Sequence, residues 1–122
     1  MDIEQLRDYC LSLPGVTEDQ AFGEDVLNFR VEGKIFVCLW LGGDKYDMKH
    51  SEPRIALKLS PDRNEELRSL YSAVTPAYHW NKKHWSDVHY MLVDDTLIRQ
   101  WIIESYQLII SKLPKAIRTK YL

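Results

Sequence analysis

A chain of 122 residues with 45% apolar and 28% charged side chains has the balance of one soluble globular domain, long enough to close a single hydrophobic core. Its net charge of −2 excludes a strongly basic protein, although the charge is uneven: residues 1–34 hold eight acids against three bases, and residues 35–122 hold ten acids against thirteen. The two cysteines, Cys10 and Cys38, are too few for a disulfide framework or a cysteine metal site, and they read as reduced, buried side chains.

The first residues, Met-Asp-Ile-Glu-Gln, are acidic and lack the apolar stretch of a secretion signal. The longest apolar run, Ile35–Leu41, is far too short to cross a bilayer. A cytoplasmic, monomeric protein without membrane contact is the expectation. Asp2 is placed to cap a first helix with Ile3, Leu6, Cys10 and Leu13 on one face, and Pro14-Gly15 ends it. Residues 16–25 read as an irregular acidic connection. Val26–Val31 then alternates, with Leu27, Phe29 and Val31 inward and Asn28 and Arg30 outward. Glu32-Gly33 makes a tight turn into Ile35–Leu41, which is apolar on both faces and suits the middle of a covered sheet. Gly42–Pro53 is a long polar loop. Arg54–Leu59 resumes the alternation, with Ile55, Leu57 and Leu59 inward and Arg54, Ala56 and Lys58 outward.

Ser60-Pro61 is a strong helix start, a capping hydroxyl followed by proline at the first helical position. Asp62, Glu65 and Glu66 follow early in that helix, and Leu67, Leu70 and Tyr71 form its buried edge. After a short extended piece and a turn, Trp85–Val93 reads as a strand, with Val88, Tyr90 and Leu92 inward and Asp87, His89 and Met91 on the other side. Asp94-Asp95 opens the last helix, whose stripe is Ile98, Trp101, Ile102, Ser105, Tyr106, Ile109 and Leu113. Pro114 stops it before a short basic tail. The order α-β-β-β-α-β(β)-α predicts one α+β domain over residues 1–122, an antiparallel sheet of about five strands with helices packed on it.

The densest chemistry lies in Thr75-Pro76-Ala77-Tyr78-His79-Trp80-Asn81-Lys82-Lys83-His84-Trp85. Lysine and histidine are costly to bury and tryptophan is costly to expose, so the mixture suits a gripping surface better than a core. With Ala56-Leu57-Lys58-Leu59-Ser60-Pro61, and with Ser105-Tyr106 followed by Leu113-Pro114-Lys115, this segment resembles the MmcQ/YjbR family of small bacterial proteins. The similarity runs in order over essentially the whole chain. It implies a fold similar to that of frataxin/CyaY proteins and secretion chaperones, and a DNA-binding role through a "double wing" arrangement. The Gly42–Pro53 loop is longer and more polar than the family pattern.

Nucleic acid needs cations for phosphates and flat or forked side chains for bases. The candidate contacts are His79, Trp80, Asn81, Lys82, Lys83 and His84 in the central segment, with Lys45, Lys49, His50 and Arg54 in and after the long loop. Lys112, Lys115, Arg118 and Lys120 extend this set at the C-terminus. So few cations imply weak, salt-dependent binding. The bland alternatives are a solvated turn for the lysines, a turn-shaping role for Asn81, and core positions for Tyr78 and Trp85. His79, His84 and His89 are spaced by five, which gathers no metal site, and the acids of residues 18–25 read as a solvated loop. No nucleophile elbow or phosphate loop is present, so neither an enzyme nor a cofactor is expected. Ser105 reads as a small packing residue. The alternative function is a protein-interaction module with a chaperone-like fold, and a weaker third is a small-molecule pocket walled by Trp101 and Tyr106.

Overall fold

The computed structural model describes residues 1–42 and 52–121. Helix α1 (Ile3–Ser12) starts on a reciprocal capping box, in which Gln5 N–H donates to Asp2 Oδ1 and Asp2 N–H donates to Gln5 Oε1. Six strands follow, interrupted by α2 (Pro61–Leu70): β1 (Val16–Asp19), β2 (Val26–Val31), β3 (Lys34–Trp40), β4 (Arg54–Lys58), β5 (Val74–Pro76) and β6 (Trp85–Val88). They form one antiparallel sheet in the order β1-β2-β3-β4-β6-β5. Helix α3 (Asp95–Ser111) and a short α4 (Lys115–Arg118) complete the α+β fold. No helix among the described residues is long and apolar enough to cross a membrane.

The helices give the sheet one covered face. Leu6 and Cys10 of α1, Leu67 of α2, and Ile98, Trp101, Ile102, Tyr106 and Ile109 of α3 pack on Phe29, Val31, Val37, Leu39, Ile55, Leu57 and Val88. A bulge between β2 and β3 sets Phe29 opposite Val37 but Arg30 opposite Ile35. Phe36 is thus the extra residue, and it joins Val37 in the same core. Glu32 and Gly33 have φ of 50° and 77°, so the β2–β3 hairpin closes with both central residues left-handed, as its twist demands. Among the described residues no helix covers the opposite face. Its cluster is Val26, Cys38, Ala56, Ala77 and Trp85, with Ile35, Trp40 and Trp80 packed against it.

Several local expectations change. Residues 16–19 form an edge strand rather than an irregular connection, because their acids find long-range cations: Glu18 pairs with Arg7 of α1, and Asp19 pairs with Arg30 of β2 at 2.5 Å. Asn28 points away from the helices yet is fully buried. The strand after the central segment stops at Val88, and Tyr90–Leu92 turns as a 3₁₀ helix, so Leu92 is exposed rather than inward. Leu70 is likewise exposed; Asn64 takes the buried place on α2. Trp101 and Tyr106 fill the core rather than wall a pocket. Ser105 does more than allow close packing: its hydroxyl donates to the Phe36 carbonyl at 2.6 Å and accepts from the Lys58 N–H at 3.1 Å.

Candidate aromatic cleft on the helix-free face

Registers place Asn28, Cys38, Ala56 and Asp87 side by side across β2, β3, β4 and β6. One pairing step further, Val26, Trp40 and Arg54 are neighbours. The chain from Ala77 to His84 folds over this surface, and its own polar groups hold it in shape. Asn81 Oδ1 accepts from the N–H groups of Lys83 and His84, at 2.9 and 3.3 Å, and the Asn81 carbonyl accepts from Trp85 N–H at 2.9 Å. Asn81 is therefore committed to the turn. Lys82 Nζ donates back to the Ala77 carbonyl at 3.0 Å.

Two side chains of α2 fasten the outer part of the turn. Asn64 is fully buried; its amide donates to the carbonyls of Leu59 and Lys83, both at 3.1 Å, and its Oδ1 accepts from the Ser86 hydroxyl at 2.7 Å. Arg68 donates to Ser86 Oγ and to the carbonyls of Lys82 and Trp85, at 3.0, 2.5 and 2.8 Å. Neither residue was a sequence candidate. A polar residue at helical spacing beside Leu67 was the available signal for Asn64.

Inside the fold of this segment the rings stack. Trp80 lies on Trp85 with centroids 4.4 Å apart, and Phe22 meets Trp80 edge-on at 6.1 Å. His79 stacks on Trp40 at 5.1 Å, and Tyr78 abuts His79 edge-on at 4.6 Å. Trp80 thus packs on Trp85 and remains half-buried. Tyr78, expected in the core, is exposed because its ring serves His79. Between these rings lies an apolar cleft of about 320 Å³, lined by Phe22, Val26, Cys38, Trp40, His79 and Trp80.

Charge at the cleft is mostly spent. Arg54 is 3% exposed, with Nε 3.3 Å from Asp87 Oδ2 and its guanidinium 5.3 Å from the Trp40 ring centroid. An exposed wing cation is therefore not what Arg54 provides. Asp87 Oδ2 also accepts from Tyr78 N–H at 3.0 Å. Lys83 is exposed, with no partner for its ammonium among the described residues, and His84 is half-buried. Lys45, Lys49 and His50 lie outside the described residues. Burial pushes the Cys38 thiol up to about 11, against a weaker opposite pull from its bond with Trp80, so at neutral pH it is a protonated wall group and not a nucleophile. No cluster of three or more His, Cys, Asp or Glu side chains suited to a metal occurs among the described residues.

The chain is similar to proteins that carry these same elements. The family model described as YjbR matches residues 11–108. The uncharacterized protein YjbR of Escherichia coli K12 is 30% identical over 116 residues, covering 94% of this chain and 92% of that one. The uncharacterized protein YbdF of Escherichia coli O157:H7 is 31% identical over 113 residues, covering 92% and 87%. Among solved structures, Deinococcus radiodurans DR2400, with a DUF419 domain, superposes with a TM-score of 0.83 at 30% identity, covering 98% of this chain and 86% of that one. A Pseudomonas syringae protein superposes with a TM-score of 0.74 at 27% identity, covering 88% and 98%.

Proposed function

The chain belongs to the YjbR family, and from that premise we propose that it is a non-enzymatic binding protein whose ligand site is the aromatic cleft on the helix-free face of the sheet. One observation carries this reading: four aromatic side chains, Phe22, Trp40, His79 and Trp80, frame a concave apolar surface instead of joining the main core. Concave, mostly apolar surfaces with a few polar groups are where proteins take up flat organic groups. The cleft's electrostatics favour a ligand of low charge, because Arg54 is matched by Asp87 and Lys82 is tethered to its own turn.

Nucleic acid is the second reading, favoured by exposed Lys83 at the tip of the turn beside rings on which a base can stack. It makes binding weak and salt-dependent, since few cations remain for phosphates among the described residues. NMR titration at low salt separates the two. Planar heteroaromatic molecules should shift the indole signals of Trp40 and Trp80 without salt dependence. Single-stranded or duplex DNA should shift the amides of residues 79–85 only if the second reading holds. A silent cleft in every titration would remove the first.

A further inference from the structure

The cleft does not end at its apolar floor. Behind it lies a recess of about 20 Å³, lined by Cys38, Trp40, Arg54, Ala56, His79, Trp80 and Asp87. Four of these residues, Cys38, Trp40, His79 and Trp80, also line the cleft, so the two spaces adjoin. The recess has the size of one water-sized group. Its walls differ in kind from those of the cleft, because the buried Arg54–Asp87 pair borders it. The indole Nε1–H of Trp40 is buried and has no acceptor among the described residues. A buried donor left unpaired keeps its full desolvation penalty, so this one favours the arrival of an acceptor.

Resting on the reading of the cleft as a ligand site, we propose that its occupant is a free, uncharged planar aromatic molecule of one or two fused rings bearing a single hydroxyl group. The rings occupy the cleft and the hydroxyl occupies the recess. Size supports the ring count: a cavity of about 150 Å³ holds one benzene, and this cleft has about 320 Å³. Hydroxyl chemistry follows from the two partners, because one O–H accepts from Trp40 Nε1–H while donating to the Asp87 carboxylate. That carboxylate already accepts from Tyr78 and Arg54 on Oδ2, but it offers about four acceptor positions in all. An ether can only accept, and an unsubstituted ring can do neither. Charge neutrality follows from the Arg54–Asp87 pair, the two charged residues that border the recess, which match one another among the described residues.

The test uses the intact protein, 2-naphthol and 2-methoxynaphthalene, with the four tryptophan indole signals as the NMR readout. 2-Naphthol should bind roughly threefold to tenfold more tightly, the factor that one net hydrogen bond supplies. It should also move the Trp40 indole proton downfield. Trp40→Phe keeps the ring and removes the N–H from which both oxygens accept, so it should weaken both compounds alike, by roughly threefold to tenfold, while the preference for 2-naphthol, which rests on donation to Asp87, persists. Equal affinities in the unaltered protein would overturn the hydroxyl-in-recess proposal while leaving the cleft a ligand site. No binding of either compound would remove the underlying reading as well. A tyrosine-containing peptide that binds more tightly than 2-naphthol would transfer the site to a protein partner and overturn the free-molecule proposal. Should Trp40→Phe lose its native amide spectrum, Trp80→Ala serves instead: it should weaken both compounds alike, and an unaffected affinity would overturn the placement.

Discussion

Replacing Asn64 by leucine isolates what the cleft's outer wall owes to α2. The two side chains are close in size, so the substitution removes hydrogen bonds and opens no large cavity. Three bonds disappear: two from the amide, to the Leu59 and Lys83 carbonyls, and one from the Ser86 hydroxyl to Oδ1. The Leu59 bond is fully buried, so its carbonyl is left without a donor at a cost of about 1–2 kcal/mol. The Ser86 hydroxyl, also buried, loses its acceptor at a cost of about 1 kcal/mol. The Lys83 bond is partly exposed and water replaces it for about 0.5 kcal/mol. The total is roughly 3 kcal/mol, and with a urea dependence of about 2 kcal/mol per molar the unfolding midpoint falls by about 1.5 M. Hydrogen exchange at the 81–84 amides should quicken as well. A destabilisation below about 1 kcal/mol would refute the reasoning, since it would mean the buried carbonyl found another partner.

Other expectations follow from the same geometry. Ser105→Ala should cost about 1–3 kcal/mol in chemical denaturation, because the hydroxyl serves both the Phe36 carbonyl and the Lys58 N–H. Gly33→Ala should destabilise by about 1 kcal/mol through backbone strain alone, as φ is 77° and nothing lies within 4 Å of an added Cβ. Arg30, with help from Ala21 N–H and Asn28, holds the Asp19 carboxyl at about 2, below its ordinary value of 3.8. A depressed carboxylate contributes stability that is present above pH 3.8 and is lost as the pH falls toward 2. An acid titration of Asp19→Asn should therefore show a shallower loss over that interval than the unaltered protein. Both cysteines should resist a thiol reagent at pH 8 until the chain unfolds, since burial pushes Cys10 up to about 12 and Cys38 up to about 11.

Elements whose determinants are local were legible before any coordinates. Asp2, Ser60-Pro61 and Glu32-Gly33 mark two helix starts and a hairpin because capping and turn chemistry act within a few residues. The α3 stripe was legible for the same reason, periodicity being a property of one helix. Strand β1 was hidden because Val-Thr-Glu-Asp looks solvated until Arg7 and Arg30 arrive from elsewhere. The strand beginning at Trp85 was drawn too long because alternation of side chains continues through Tyr90, although the backbone turns there. Of the candidate site, His79 and Trp80, read from the sequence as nucleic-acid contacts, line the cleft. Phe22, Val26, Cys38 and Trp40 were missed, since the cleft exists only once sheet register sets them beside that segment. Phe22, a large apolar residue within an acidic stretch, was the visible clue.

The sheet is open, and its two margins are unequal to the task of recruiting another chain. At one margin β5 is only three residues long and ends on Pro76, which has no N–H to offer. At the other, β1 is only four residues long, and its Glu18 and Asp19 are held in ion pairs with Arg7 and Arg30, which leaves a short, charged edge. Both are devices that keep exposed strands from templating fibrils. Concentrated solutions of the protein should therefore stay free of cross-β aggregates, and clustering that does occur should run through exposed side chains such as Leu70, Met91 and Leu92.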